Sequence, residues 1–306
     1  MKKFILSTTF FACSISAMQP SQQSPVLPVY AVPGQNGLGS ESDYIKGVLG
    51  KDTKIVKVAT PERFRDLGQS FCERHMSEAF EKNDNKQGAI VYATSQGTAT
   101  SLNYLADTDK GKKIKALILE ATLASGNSAI YHTVTGPLMN MNICTKIPFS
   151  YYLLPYAANF FMPGYRPAGK QPIKSIDAIP TDIPIVIIHS KNDMQLSYDD
   201  ACALYYGLRS KGNDNVYFIH KEDCGHVRIL ESEDERNIIK RVLKKHGLMV
   251  GILSVEEADL SAYQPDPMQY KAHYDDLIAK ETRHTYIERS IGLGLLAGLI
   301  KYMSGY

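Results

Sequence analysis

Three side chains of this sequence could together activate a hydroxyl group. Ser95 stands in Ala93-Thr94-Ser95-Gln96-Gly97, between an apolar run at residues 89–92 and a stretch at 98–105 that sets Leu102 and Leu105 on one helical face. Asp193 closes Ser190-Lys191-Asn192-Asp193, after the apolar run 183–189, and His226 closes Cys224-Gly225-His226, after the run 215–220. A serine hydroxyl is a poor nucleophile at neutral pH. It needs an imidazole to take its proton, and the imidazole needs an acid to fix its tautomer and stabilise its charged form. Attack on a carbonyl also needs N–H donors for the oxygen that becomes negative. The backbone N–H groups of Gln96, at the start of the helix, and of Gln35, in a glycine-rich loop, are placed to supply them.

Each residue also has a plainer reading. Ser95 could sit in a turn or cap a helix, Asp193 could be an acid ahead of a helix near Tyr198, and His226 could be a loop histidine beside a glycine. Asp199 and Asp200 read as first-turn charges of that helix. Glu222 and Asp223 read as solvated loop charges. His189 and His220 fall on predicted strands and read as core or edge histidines, while His75, His132, His246, His273 and His284 have no motif beside them.

The order of elements decides between these readings. Residues 25–32 read as a strand entered through prolines, followed by the loop Pro33-Gly34-Gln35-Asn36-Gly37-Leu38-Gly39-Ser40. Ser42 can cap a short helix reaching Leu49, and residues 53–58 alternate as a second strand. Pro61 is expected to open a long amphipathic helix with Phe64, Leu67, Phe71, Met76 and Phe80 on its apolar face. The strand 89–92, the helix 98–105, a strand at 114–119, the strand 183–189, a helix at 198–211, the strand 215–220 and a helix at 232–246 complete the pattern. Strands alternating with helices imply a parallel sheet covered on both faces. Ligands of such sheets bind beyond the carboxyl ends of the strands. Gln35, Ser95, Asp193 and His226 all follow strands, so all fall on that edge. Strand, sharp turn and helix around Ser95 hold a serine on a strained backbone, and the small Ala93 and Gly97 let strand and helix approach.

The 34 Lys and Arg against 32 Asp and Glu leave no basic excess for nucleic acid. No Cys-x-x-Cys or His/Cys spacing suggests a metal site, and no cofactor is implied. Lys2 and Lys3, the apolar residues 4–15 and the small Ser14, Ser16 and Ala17 read as a signal peptide over residues 1–18, and so as export to the periplasm or medium. Cys13 is a poor match to a lipid-attachment box because Phe10 stands at its aliphatic position. The remaining Cys72, Cys144, Cys202 and Cys224 permit three disulfide pairings, among which sequence does not choose.

Four local patterns together resemble an α/β-hydrolase-fold serine hydrolase, over residues 26–246. Val32-Pro33-Gly34-Gln35-Asn36-Gly37 resembles the family's His-Gly-x-x-Gly oxyanion loop, with Pro33 in place of histidine. Ala93-Thr94-Ser95-Gln96-Gly97 resembles Gly-x-Ser-x-Gly, with Ala93 in place of the first glycine. Residues 185–193 resemble the strand that ends at the family's acid, and Cys224-Gly225-His226 its Gly-His. The resemblance implies a mostly parallel sheet with helices on both faces, reduced at its N-terminal edge because two strands that often precede the oxyanion strand are missing. It implies catalysis by Ser95, Asp193 and His226, with Gln35 and Gln96 at the oxyanion. The domain is expected over residues 19–250. The stretch 125–175, rich in Tyr, Phe, Pro and Met, lies where this family inserts a cap.

Three functions stay open at this point: a carboxylic-ester hydrolase acting on a small-molecule or lipid-like acyl substrate, a serine peptidase of the same fold, and a non-catalytic binding protein on that scaffold. Residues 251–306 lie outside the resemblance and read as a helical extension. Its apolar, glycine-rich run 291–300 is short for a bilayer span. Docking on the body, on a partner or on a membrane surface are its three readings.

Overall fold

A computed structural model describes residues 26–34, 41–59, 66–83, 87–107, 109–139, 150–162, 164–222, 224–248 and 259–304. Six strands form one sheet: β1 (Val29–Val32), β2 (Ile55–Lys57), β3 (Ala89–Thr94), β4 (Ile114–Glu120), β5 (Ile185–Ser190) and β6 (Val216–Lys221). Their order is β2-β1-β3-β4-β5-β6, and every pairing is parallel. Between them run α1 (Glu41–Leu49), α2 (Ser70–Lys82), α3 (Gln96–Leu105), α4 (Gly126–Met139), α5 (Ser150–Phe161), α6 (Pro172–Ser175) and α7 (Tyr198–Ser210). After the sheet come α8 (Glu233–Lys245) and α9 (Lys271–Ser304).

The strands are apolar throughout because both their faces are covered. Alternate residues feed two separate cores. Val91, Leu117, Leu119, Ile185, Ile187 and Phe218 pack with Met76 and Phe80 of α2, Leu102 and Leu105 of α3, and Leu204 and Leu208 of α7. Ile90, Tyr92, Ile118, Val186, Ile188 and Ile219 pack on the other side with Ile45 and Val48 of α1 and Ile238, Ile239, Val242 and Leu243 of α8. Each fully buried side chain of this size contributes about 1.5–3 kcal/mol. Ser232 caps α8 in a reciprocal box with Glu235, which fixes where that helix starts.

One expectation needs correction. The helix expected from Pro61 begins at Ser70 instead. Leu67 and Gly68 stand before it at φ 47° and 87°, which no α-helix accommodates. Leu67 therefore belongs to a turn beside the site, not to the helix face. Phe64 lies outside the described residues, as does the side chain of Phe71. Asp199 and Asp200 both stand in the first turn of α7, as expected; Asp200 is 7% exposed and faces α4, whereas Asp199 stays exposed and pairs with His273 of α9.

Residues 125–175 contain α4 and α5, packed on each other through Tyr131 and Tyr151, whose ring centres are 5.2 Å apart. Pro155 sits inside α5. α9 docks on the body. It buries Leu277 in the core shared with α7 and buries Glu281 and His284 completely. The side chains of residues 292–304 lie outside the described residues, and with them most of the apolar run at 291–300. Among the described residues no helix is long and apolar enough to cross a membrane. Cys202 and Cys224 are free thiols. Cys13 and Cys144, the side chain of Cys72 and the expected signal segment lie outside the described residues.

Candidate active site

Ser95 sits at the end of β3 and opens α3, at φ 50° and ψ −123°. This left-handed backbone costs a non-glycine residue on the order of 1–3 kcal/mol and persists only where neighbours enforce it. The neighbours here are close. A Cβ placed on Gly97 would meet the carbonyl oxygen of Val32 at 2.1 Å, so only glycine lets α3 start this near β1. The Ser95 N–H donates to the carbonyl of Glu120 at 2.9 Å. The N–H of Gly34 donates to Thr94 Oγ1 at 3.1 Å, which ties the loop after β1 to the residue before the serine.

Asp193 and His226 come to the same place from the ends of β5 and β6. His226 Nδ1 lies 2.7 Å from Asp193 Oδ2, and His226 Nε2 lies 2.8 Å from Ser95 Oγ. A carboxylate only accepts, so Nδ1 carries the proton and Nε2 accepts from the serine hydroxyl. The other oxygen of Asp193 accepts the N–H groups of Gln195 at 2.8 Å and Leu196 at 3.1 Å. Burial would raise the Asp193 carboxyl. The hydrogen bonds from His226 and the Gln195 N–H outweigh it and hold the group below the ordinary carboxylate range. Gln96 follows Ser95 directly as the first residue of α3. Gln35 lies outside the described residues, one position beyond Gly34.

Several supporting residues carried no signal in the sequence. Glu120, fully buried at the end of β4, accepts the Tyr44 hydroxyl at 2.9 Å, the Tyr92 hydroxyl at 2.7 Å and the Ile229 N–H at 2.5 Å. It thus anchors the loop that carries His226. Burial raises its carboxyl above the usual range, against the pull of these donors. The Ser190 hydroxyl donates to the carbonyl of Cys224 at 2.8 Å and accepts its N–H at 3.2 Å, a second clamp on that loop. His189 is buried at the end of β5. Its Nδ1 accepts the Thr122 N–H at 3.0 Å, so Nε2 holds the proton, 3.3 Å from the Leu196 carbonyl and 3.8 Å from Asp193 Oδ2. Burial lowers His189 to about 4, which keeps it neutral beside the acid. His132 of α4 donates from Nε2 to the Asp193 carbonyl at 3.3 Å. The exposed His220 meets the rings of Tyr198 and Phe218 edge to face.

A cleft of about 350 Å³ opens at Ser95 and His226. Ile130, Thr133 and Val134 of α4 form one wall, Ala158 and Phe161 of α5 another, and Leu67 and Met162 close it. Among the described residues no group of three His, Cys, Asp or Glu side chains could hold a metal ion. The arrangement can transfer a proton from Ser95 to His226 beside an apolar cavity.

No protein-family profile matches the chain, and no curated protein matches it in sequence. Solved structures do match. An esterase of Pyrococcus furiosus, Pf2001, superposes with a TM-score of 0.52 at 14% identity, over 74% of this chain and 83% of its own. The uncomplexed acylaminoacyl peptidase of Pyrococcus horikoshii superposes with a TM-score of 0.51 at 13% identity, over 80% of this chain and 41% of its own. At such identities the likeness is one of fold. The chain has the α/β-hydrolase fold, with a six-stranded parallel sheet and a helical cap between β4 and β5.

Proposed function

We propose that the protein is a serine hydrolase that cleaves carboxylic esters through an acyl-enzyme. Ser95 Oγ attacks the acyl carbon while His226 Nε2 takes its proton, and Asp193 stabilises the resulting imidazolium. The backbone N–H groups of Gln96 and Gln35 receive the oxyanion, each contributing roughly 3 kcal/mol to the transition state. Collapse expels the alkoxide, which takes the proton from His226. Water then attacks the acyl-serine, giving its proton to His226, and the acid leaves with Ser95 reprotonated.

The observation that carries this reading is the chain of hydrogen bonds at 2.8 and 2.7 Å, standing at the mouth of an apolar cleft. That cleft favours an acyl group over an aminoacyl one. Among its described lining residues there is no Asp or Glu to receive a free amino terminus. The expected signal segment makes export part of the same proposal, with the substrate met outside the cytoplasm.

The test is a panel of 4-nitrophenyl acetate, butyrate and octanoate against aminoacyl 4-nitroanilides. Two added methylenes bury about 1.5 kcal/mol, so kcat/KM is expected to rise roughly tenfold from acetate to butyrate. Turnover of the anilides above the esters, or no ester turnover by folded protein, would overturn the reading.

A further inference from the structure

Glu281 of α9 is fully buried against the first turn of α4. Its Oε1 accepts the Ser125 hydroxyl at 2.5 Å and its Oε2 accepts from Asn127 Nδ2 at 2.8 Å. Ser125 Oγ in turn accepts the Ser128 N–H at 3.1 Å, which caps α4. Asp200 of α7 accepts the Ser128 hydroxyl at 2.9 Å. Two carboxylates, from two other helices, therefore meet the N-terminal end of α4, where the helix dipole favours negative charge. Asn127 is held on its other side too. Its Nδ2 also donates to the Pro167 carbonyl at 2.8 Å, and its Oδ1 accepts the Tyr165 hydroxyl at 2.6 Å.

α9 reaches the second wall of the cleft as well. His284 is enclosed by Tyr151, Tyr152 and Tyr156 of α5, with ring centres 5.6, 5.2 and 5.8 Å away. The Tyr156 hydroxyl donates to the His284 carbonyl at 3.1 Å. A helix docked only for stability needs apolar contacts. Burying carboxyl groups costs several kcal/mol unless donors satisfy them, and here the donors come from the start of α4. One and two turns further along α4 stand Ile130, Thr133 and Val134, which wall the cleft.

We propose that Glu281 is a positioning residue for the substrate cleft: with Asp200 it sets the placement of α4, and through Ile130, Thr133 and Val134 it governs selection for acyl-chain length. The proposal rests on the ester-hydrolase reading. Ser95 and His226 are held by Glu120, Ser190 and Asp193, and α4 meets this group through His132 at the Asp193 backbone carbonyl and not at the Asp193 carboxylate or at His226. Loosening α4 therefore weakens contacts to a long acyl chain and leaves the bond-breaking groups in place.

The experiment uses the full chain with Glu281→Ala and Glu281→Gln. Hydrogen exchange of the amides at 126–135 is compared with that of β3 and β5, and kcat and KM are measured for 4-nitrophenyl acetate and octanoate. In Glu281→Ala the α4 amides are expected to exchange about tenfold faster with the sheet unchanged. KM for octanoate is expected to rise about fivefold, with KM for acetate and both kcat values nearly unaltered. Glu281→Gln, which keeps one acceptor oxygen, falls between. Unchanged α4 exchange, an equal rise in KM for both esters, or joint loss of α4 and sheet protection in both variants would overturn the proposal. If the parent protein cleaves no ester, the function reading fails, and the exchange measurement still decides whether Glu281 holds α4.

Discussion

Glu120 accepts the N–H of Ile229 on its side chain at 2.5 Å, and the same residue accepts the N–H of Ser95 on its backbone carbonyl at 2.9 Å. One residue at the end of β4 thereby ties the serine turn to the histidine loop. Removing it should disturb both. Glu120→Ala strands the Tyr44 and Tyr92 hydroxyls and the Ile229 N–H, and should cost about 3–5 kcal/mol in urea denaturation. Glu120→Gln keeps the volume but turns a donor toward donors. It should lower kcat more than it raises KM, because the His226 loop shifts and the cleft does not.

Gly97 makes a sharper prediction about the backbone. A methyl group there would lie 2.1 Å from the Val32 carbonyl oxygen, and backbone cannot yield as a side chain end can. Gly97→Ala should destabilise by about 3 kcal/mol or more, read as a fall in Tm. By contrast, Ala93→Gly only empties a methyl position in a packed strand and should cost about 1 kcal/mol.

Asp193→Asn should separate fold from chemistry. The amide oxygen can still accept the Gln195 and Leu196 N–H groups, but its nitrogen donates to His226 Nδ1. Nε2 then carries the proton and cannot take one from Ser95. Turnover of a 4-nitrophenyl ester should fall by about 10⁴, with Tm little changed.

The carboxyls of Asp200 and Glu281 predict how stability depends on pH. Burial pushes each up to about 7, partly opposed by the Ser128 hydroxyl at Asp200 and by Ser125 and Asn127 at Glu281. They face each other and Asp199, with Lys280 and Lys174 as the nearby cations; Tyr151 and Tyr165 are protonated and the buried His284 is neutral. Their native values lie above the unfolded ones, so the native state binds the extra protons. The stability they contribute is complete below about pH 4, falls between about 4 and 7, and is lost above that. Thermal melts at pH 5.5 and 8 should differ by on the order of 3 kcal/mol from this pair. The difference should shrink in the Asp200→Asn, Glu281→Gln double variant.

The three grouped residues were readable because each has a local signal. Ser95 lies between a buried strand and a helix with small residues around it, and Asp193 and His226 each end a strand-and-loop pattern that a parallel sheet must bring to one edge. The residues that hold them were not readable. Glu120 is an ordinary strand end in sequence; its donors come from Tyr44, Tyr92 and Ile229, which only the folded sheet assembles. Asp200 fits a helix first turn, and nothing local shows that α4 and α9 bury it. The cap at 125–175 was placed from sequence, but Pro155 inside α5 hid that helix within it, and the positive φ of Leu67, a residue that rarely adopts it, hid the late start of α2. Gln35 fits the oxyanion role on sequence alone.

The most direct test of the account is labelling of the purified protein with a fluorophosphonate, which reacts only with an activated serine, beside Ser95→Ala and His226→Ala. The account predicts stoichiometric labelling of the parent, none in Ser95→Ala, and labelling slowed by about 10³ or more in His226→Ala. Folded parent that does not label, or equal labelling of Ser95→Ala, would contradict it.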